Sequence, residues 1–216
     1  MDYVLLDLDG TITDSSEGII KCFQYALGTL GIEVEDPKEL EQYIGPPLDE
    51  SFRVGFGMDE DMVQRAIALY RERYLPTGIY ENKLYPGMER ALERLKEAGK
   101  TLIVATSKPE HMAVRVLKHF GVDGLFDGIC GADSDTNRNK KDEIIRYALD
   151  KFGVTDLSNV IMVGDRKYDV IGAKKCGLSC MGVLYGFGNR EELEEAGAVM
   201  IAETVEDMAE LLISEG

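Results

Sequence analysis

The sequence predicts an α/β protein: a doubly wound, Rossmann-like parallel sheet with a small helical cap inserted after the first strand. Short, almost continuous apolar runs alternate with helical patterns along most of the chain. This alternation is typical of parallel strands that helices cover on both faces. It breaks between residues 14 and 83, where helical patterns occur without a convincing strand.

The predicted core strands are apolar runs that polar residues or glycine close. The clearest cover residues 3–8, 101–105, 160–163 and 179–184, with weaker candidates at 126–130 and 198–201. Between them, apolar residues recur at helical spacing over residues 88–95, and Gly99 follows as a stop signal. Further helices are expected to open at Ser107-Lys108-Pro109 and to cover residues 140–152.

The segment that breaks the alternation contains two helical stripes. The first is Ile19, Phe23, Leu27 and Leu30, and the second is Met62, Ala66, Leu69 and Arg73. Glycines and prolines punctuate the rest of the segment. We therefore expect an α/β core domain formed by residues 1–13 and 84–216, and a helical cap domain formed by residues 14–83.

Charge and composition limit the classes of partner and the cellular compartment that we expect for this protein. With 24 Lys and Arg against 40 Asp and Glu, the net charge of −16 disfavours nucleic-acid polymers and membrane surfaces. Two histidines make a His-based zinc site or a Ser-His-Asp triad improbable, and none of the four cysteines forms a C-x-x-C pair. No leader or apolar span is evident, so we expect a cytoplasmic protein of unpredicted oligomeric state.

The strongest chemical motif is residues 7–11, which read DLDGT directly after an apolar strand. Ligands of α/β folds bind at the carboxyl edge of the sheet, where this motif lies. Asp7 and Asp9 are two residues apart and project to the same side if the strand continues. Gly10 allows the backbone to turn there. A helix-capping aspartate beside a turn is the structural alternative.

A second pair of carboxylates follows a later strand. Asp165 stands at the strand end, and Asp169 lies in the first turn of the next helix, where either could simply cap that helix. With Asp7 and Asp9 they make four carboxylates at one sheet edge, which would repel one another without a cation. Oxygen ligands of this kind suit a hard divalent ion, and we expect Mg²⁺.

Two weaker segments could bind an anion. Thr106 and Ser107 lie at the end of a predicted strand and the start of a predicted helix, whose N-terminal amides favour negative charge. Ser and Thr are also routine helix caps. Lys140 and Lys141 open another helix, where a lysine would support a phosphate, although an exposed lysine pair is commonly a solvated face.

Together these segments resemble, in the same order, the motifs of the haloacid dehalogenase-like superfamily. The resemblance rests on residues 7–11, Thr106, Lys141 and residues 164–169. Residues 43–48 (YIGPPL) and 164–173 (GDRKYDVIGA) look like its phosphoglycolate phosphatase-like and 5′-nucleotidase-like members. Of the two lysines, Lys141 stands at the spacing such relatives show. The resemblance covers the whole chain, insert included.

The resemblance implies a Mg²⁺-dependent phosphatase that works through an aspartyl-phosphate. Asp7 would be the nucleophile, and Asp9 would be the general acid and base. Mg²⁺ would be held by Asp7, Asp165 and the backbone carbonyl of Asp9. Asp169 would orient that site from behind the ligands or through water. The acid two residues beyond the nucleophile favours phosphatases and phosphomutases within the superfamily.

The remaining implied contacts concern the substrate, a small soluble phosphomonoester. Thr106, the Ser107 amide and Lys141 would hold the transferring phosphoryl group. Within the cap, Gly45 and Pro46 belong to a stiff loop. Arg53 is the best cationic candidate for contacting the leaving group, with a surface position as its alternative.

Two alternative functions stay open at this stage. A sugar phosphomutase would use the same aspartyl-phosphate chemistry, and a non-enzymatic phosphate- or metal-binding regulator would use the same site. Two further motifs are set aside. Asp133-x-Asp135-x-Asn137 lacks the glycine and glutamate of a calcium loop, and residues 186–188 (GFG) lack the third glycine of a dinucleotide fingerprint and are predicted to be a loop.

Overall fold

The computed structural model describes residues 1–214. The chain divides into two compact units. The first is formed by Met1–Thr13 and the chain from Leu84 onward, and the second is Asp14–Lys83. The first unit contains the main sheet and the second is largely helical.

Strands and helices alternate through most of the first unit. The strands are β1 (Tyr3–Leu6), β2 (Thr13–Asp14), β3 (Lys83–Leu84), β4 (Thr101–Pro109), β5 (Gly128–Ala132), β6 (Val160–Gly164), β7 (Ser179–Val183) and β8 (Met200–Ala202). The α-helices are α1 (Ser16–Thr29), α2 (Leu48–Glu50), α3 (Glu60–Tyr74), α4 (Met88–Glu97), α5 (Glu110–Phe120), α6 (Lys141–Lys151), α7 (Lys167–Lys175), α8 (Arg190–Ala196) and α9 (Val205–Ser214). Short 3-10 helices cover Pro37–Tyr43, Gly78–Tyr80, Asp123–Leu125 and Leu157–Asn159, and a π-helical turn covers Ser51–Gly55.

Six strands form one sheet in the order β5-β4-β1-β6-β7-β8, and β2 pairs separately with β3. All neighbouring strands of the large sheet run parallel, and helices flank the sheet. The predicted doubly wound α/β fold is therefore confirmed. Because β1 lies between β4 and β6, the carboxyl ends of these three strands stand side by side.

The core of the first unit forms where the sheet packs against helices. Leu5 pairs in register with Ile103 of β4 and with Met162 of β6, so the three side chains form one row. This row belongs to a buried cluster that also includes Ile144 of α6 and Val170 of α7. Burial of this row on β1, β4 and β6 fixes the strands whose ends carry the polar motifs.

One predicted boundary is wrong. The strand expected at residues 101–105 continues to Pro109, and α5 begins at Glu110 instead of at Ser107. A proline disfavours helical conformation in the residue before it, so Lys108 stays extended. The pairing of β4 with β5 shifts register between Thr106 and Pro109, which keeps the longer strand in the sheet.

The second unit packs α1 against α3 around aromatic rings. The ring of Phe23 lies 5.0 Å from that of Phe52 and 5.3 Å from that of Tyr70, centroid to centroid. The buried residues of α3 are Val63, Ala66, Tyr70 and Tyr74. Of the stripe predicted for this helix only Ala66 is among them, because the tyrosine rings, which the prediction did not use, turn the helix toward Phe23. Among residues 1–214, no helix has the length and apolar character needed to cross a bilayer.

Candidate active site

The polar motifs lie at the carboxyl ends of three adjacent strands. Asp7 follows β1, and its N–H donates to the Val163 carbonyl at 3.0 Å, which extends the pairing of β1 with β6. Asp165 follows β6, and Thr106 lies in β4, paired with Gly131 of β5. The strand order thus brings together residues that are far apart in the sequence.

Three of the four predicted carboxylates meet at this edge. Asp7, Asp165 and Asp169 each offer an oxygen, and these oxygens lie within 4.8 Å of one another. The three residues are only 7%, 0% and 1% exposed. Both oxygens of Asp165 are held, because the Thr11 hydroxyl donates to Oδ1 at 3.3 Å and the Phe187 N–H donates to Oδ2 at 2.8 Å. We call these three aspartates the carboxylate cluster.

Lys141 supplies a buried positive charge to the carboxylate cluster. Its Nζ lies 2.9 Å from Asp7 Oδ2 and 2.8 Å from Asp169 Oδ1, and donates to the Ala105 carbonyl at 3.1 Å. Lys141 therefore makes two ion pairs and one backbone hydrogen bond at the site. Lys140, the alternative considered from the sequence, is exposed. Of the two lysines, the structure places Lys141 at the site.

Burial and mutual repulsion shift the pKa values of these groups. Burial raises the pKa of Asp165 well above 3.8, and the charges of Asp169 and Asp7 raise it further. Burial also raises the pKa of Asp169 to about 6, against the lowering effect of Lys141. Burial opposes the charge on Lys141, but the carboxylates of Asp169 and Asp7 outweigh it and raise the pKa of the lysine. The cluster therefore favours an additional proton or cation.

These shifts predict how pH affects stability in EDTA. A carboxyl group whose pKa is raised on folding stabilises the protein fully below its unfolded pKa, and this contribution is lost as the pH rises through the folded pKa. For Asp169 the window runs from 3.8 to about 6, and for Asp165 it begins at 3.8 and extends upward. The Asp165→Asn variant should therefore gain thermal stability relative to wild type as the pH rises from about 4 to about 7.

The measurement is the difference in Tm between Asp165→Asn and wild type in EDTA at several pH values. Both proteins share the other carboxylates, whose lowered pKa values also make Tm depend on pH, so their contribution cancels in the difference. A Tm difference that stays constant or shrinks with rising pH would contradict the raised pKa of Asp165.

Asp9 lies outside the carboxylate cluster and pairs with a lysine. Its Oδ2 is 2.6 Å from Lys108 Nζ, and the two side chains are only 12% and 6% exposed. Its Oδ1 is buried and has no hydrogen-bond partner within residues 1–214. The sequence indicated Lys108 only as part of a helix start, and its pairing with Asp9 was not predicted. Strand alternation would place Lys108 on the same side as Thr106, but only if the strand were known to continue past residue 105, which the sequence did not indicate.

Thr106 and Ser107 lie within β4, at the edge where the cluster forms. Thr106 is 1% exposed, and its Oγ1 accepts a hydrogen bond from the Lys108 N–H at 3.2 Å. The helix N-terminus predicted at Ser107 is absent from this segment, since α5 begins three residues later. Contacts of both residues with a phosphoryl group stay predictions.

The three candidate cap residues lie in the second unit. Gly45 has a φ of 103°, which a residue with a Cβ rarely adopts, and Pro46 follows it in the loop before α2. Arg53 lies in the π-helical turn, with its Nη2 2.6 Å from Glu60 and its Nη1 3.5 Å from Asp49. These partners are exposed, as is Arg53. Substrate contacts by the three residues stay predictions.

Known proteins resemble this chain over most of its length. A 5′-nucleotidase of Pseudomonas aeruginosa is 45% identical over 190 residues, 88% of this chain and 86% of the relative. A tyrosine-protein kinase of Mycobacterium tuberculosis is 36% identical over 211 residues, 97% of this chain and 72% of the relative. The crystal structure of a predicted phosphatase from Clostridium acetobutylicum superposes with a TM-score of 0.95 at 43% identity, covering 99% of this chain and 98% of that one.

The family assignment rests on a match that spans most of the chain. Residues 4–183 match the haloacid dehalogenase-like hydrolases, and this range includes Asp7, Thr106, Lys141 and Asp165. The resemblance proposed from the sequence motifs is confirmed by this match. The chain belongs to the haloacid dehalogenase-like hydrolase family.

Proposed function

We propose that this phosphatase is a Mg²⁺-dependent phosphomonoester hydrolase that acts on a small soluble phosphate through an aspartyl-phosphate on Asp7. The observation that carries the proposal is the carboxylate cluster with Lys141 at the carboxyl edge of the sheet. Groups with strongly perturbed pKa values gathered at such an edge are typical of catalytic sites.

The donor set fits Mg²⁺. The cluster offers only oxygen ligands, which a hard divalent cation prefers. The raised pKa values of Asp165 and Asp169 also indicate that the buried carboxylates need compensating charge. Asp7, Asp165 and the backbone carbonyl of Asp9 would hold the ion, and Asp169 would orient the site. When bound, Mg²⁺ would shield the nucleophile from the charge of the phosphate.

Asp7 is placed to act as the nucleophile. Its Oδ1 accepts a hydrogen bond from the Leu8 N–H at 2.8 Å, and its Oδ2 faces Lys141. These contacts orient the carboxylate. One oxygen of Asp7 would form a bond to phosphorus as the bond from phosphorus to the leaving oxygen breaks. Thr106, the Ser107 amide and Lys141 would stabilise the charge on the transferring group.

Asp9 would move the protons of both displacements. It would donate a proton to the leaving oxygen in the first step. In the second it would take a proton from water as the water oxygen bonds to phosphorus and the bond from Asp7 to phosphorus breaks. Lys108 holds Oδ2 of Asp9 at 2.6 Å and so fixes the direction of this carboxyl group.

The effect of replacing Lys108 on kcat should therefore depend on the leaving group of the substrate. Lys108→Met should lower kcat by about 100-fold for an alkyl phosphate, because misplacing a catalytic group by about 1 Å has an effect of that size. The loss should be smaller for p-nitrophenyl phosphate, whose leaving oxygen needs little protonation. The measurement compares kcat for both substrates with Lys118→Met, an exposed lysine of α5, as the control. Equal losses for the two substrates would contradict the role.

The substrate class is best tested by a kinetic panel. The 5′-nucleotidase relative makes nucleoside monophosphates the first choice, and the sequence resemblance adds phosphoglycolate. Pyrophosphate and sugar phosphates complete the panel. Mg²⁺-stimulated phosphate release from at least one phosphomonoester is the expected result. If the purified protein releases phosphate from none of these substrates, the proposed function is wrong.

Two further arms of the panel test other chemistry on the same site. One relative is named a tyrosine-protein kinase, so ATP with a tyrosine-containing peptide belongs in the panel. Isomerisation of a sugar phosphate without net phosphate release would identify a phosphomutase. We expect neither phosphorylated peptide nor isomerised sugar at rates comparable to phosphate release.

The expected setting of the enzyme follows from its charge and its thiols. A net charge of −16 favours a small phosphate over a polyanion, because the local cations of the site compensate only a few charges. The four cysteines are free thiols, which agrees with a reducing compartment. We therefore keep the cytoplasm as the proposed location.

A further inference from the structure

The loop between β7 and α8 contacts the carboxylate cluster directly. Residues 186–188, which we call the glycine loop, were set aside in the sequence because they lack a dinucleotide fingerprint. The Phe187 N–H donates to Asp165 Oδ2 at 2.8 Å. Since the Thr11 hydroxyl holds Oδ1 of the same carboxylate, its rotation is blocked from both sides. The glycine loop therefore fixes one of the proposed metal ligands through its backbone.

The backbone of the glycine loop packs too closely against Asp165 to admit side chains. A Cβ built on Gly186 would collide with the Gly10 carbonyl oxygen and lie 2.7 Å from Asp165 Cγ. A Cβ built on Gly188 would overlap the Asp165 carbonyl oxygen. Real Cβ atoms do not approach other atoms this closely. Any side chain at Gly186 or Gly188 must therefore displace the loop or Asp165.

The leading end of the glycine loop is anchored by an aromatic contact. The ring of Tyr185 meets that of Tyr85 edge to face at 4.9 Å between centroids. The Tyr185 hydroxyl lies 3.4 Å from the sulfur of Met208 in α9. These contacts fix the chain just before Gly186.

The trailing end is tied to the segment that follows Asp165. Asn189 caps α8 by accepting a hydrogen bond from the Glu192 N–H at 2.9 Å. The Glu192 carboxylate in turn accepts from Arg166 Nε and from the Lys167 N–H, both at 2.9 Å. Arg166 directly follows Asp165 in the chain, so these hydrogen bonds connect the end of the glycine loop to the segment that carries Asp165.

We infer that the glycine loop is a positioning element that sets the affinity of the carboxylate cluster for a divalent cation. The inference rests on the proposed function, since it concerns the proposed Mg²⁺ ligand Asp165. Groups that orient metal ligands from behind change metal affinity by about 10- to 100-fold when they are altered. The contact from Phe187 is of this kind, with the difference that a backbone amide supplies it.

The experiment measures cation binding without turnover. Mn²⁺ is the probe, because it prefers the same oxygen ligands as Mg²⁺ and its free form is counted by electron paramagnetic resonance. Gly186→Ala and Gly188→Ala are the variants, and Gly124→Ala is the matched control, since a Cβ there meets nothing within 4 Å. Glu192→Ala removes the anchor at a half-buried position, where folding should tolerate it.

We expect Mn²⁺ to bind at least about tenfold more weakly to the two loop variants than to wild type and Gly124→Ala. Glu192→Ala should weaken binding in the same direction, and Mg²⁺ should compete for the same site. The Tm of Glu192→Ala in EDTA should stay close to that of the control, which separates loss of metal affinity from loss of folding. Where an alanine variant of the loop fails to fold, Glu192→Ala decides the question.

The outcomes separate this inference from the proposed function. Wild type that binds Mn²⁺, with folded loop variants and Glu192→Ala binding it equally well, would overturn the inference alone. Wild type and Gly124→Ala that both fail to bind Mn²⁺ would overturn the metal site of the proposed function, and the inference with it.

Discussion

Asp7→Asn is expected to abolish phosphate release while the protein stays folded. Removing the nucleophile of an enzyme whose catalytic groups act as a unit lowers kcat by about 10⁴-fold or more. Asparagine keeps the shape of the side chain and an oxygen that can accept the hydrogen bond from the Leu8 N–H. The substitution also removes one negative charge from the carboxylate cluster, so the Tm in EDTA should not fall.

The measurement for Asp7→Asn is kcat at saturating Mg²⁺ on the best substrate of the panel, with Tm recorded on the same sample. Asp2→Asn serves as the control, because Asp2 is exposed and outside the carboxylate cluster, and its carboxylate accepts a side-chain hydrogen bond from Asn159. Full activity in Asp7→Asn would remove the nucleophile from the account.

Lys141→Met is expected to reduce both activity and stability. Removing one partner of a buried ion pair leaves the others uncompensated, which costs about 3–5 kcal/mol. Here Asp7 and Asp169 would both lose the Lys141 ammonium group. Loss of one group that stabilises the transferring phosphoryl lowers kcat by about 100- to 1,000-fold.

The control for Lys141→Met is its neighbour. Lys140→Met changes the same residue type one position earlier, at an exposed site, and should leave kcat and the free energy of unfolding almost unchanged. Denaturant unfolding in EDTA and in Mg²⁺ completes the comparison, since a bound cation should restore part of the lost stability. Equal effects of the two substitutions would contradict the placement of Lys141.

The sequence predicted the parts of the site that follow strand ends. Asp7 and Asp165 each come directly after a short apolar run, and the carboxyl ends of parallel strands share one edge of the sheet. Predicting that edge requires only the alternation of strands and helices along the chain, which apolar periodicity indicates. The fold class and the meeting of these two carboxylates could therefore be predicted.

The sequence could not predict contacts that depend on how distant segments pack. Lys108 and Asp9 are 99 positions apart, and their pairing requires β4 to continue to Pro109. The glycine loop was set aside because its glycines do not complete a known sequence motif. Its close approach to Asp165 is visible only in the folded structure. The stripe of α3 was misassigned for a similar reason, since the partner of its tyrosines is Phe23 on another helix.

Net charge and local chemistry give different pictures of this molecule. The chain carries −16, yet the proposed substrate is an anion. Lys108 and Lys141, both almost fully buried, offset part of the negative charge of the aspartates where the phosphate would bind. A divalent cation on the carboxylate cluster would offset the rest. The field at the site is therefore set by these few groups, because interactions with distant surface charges are screened.

The most direct test of the account is to trap the phosphoryl group on the protein. Wild type would be mixed with its best substrate and Mg²⁺, quenched in acid during turnover, digested and analysed by peptide mass spectrometry. We expect one added phosphoryl group on the peptide that contains Asp7, and none in Asp7→Asn. Turnover that leaves Asp7 unmodified while another residue carries the phosphoryl group would contradict the central claim.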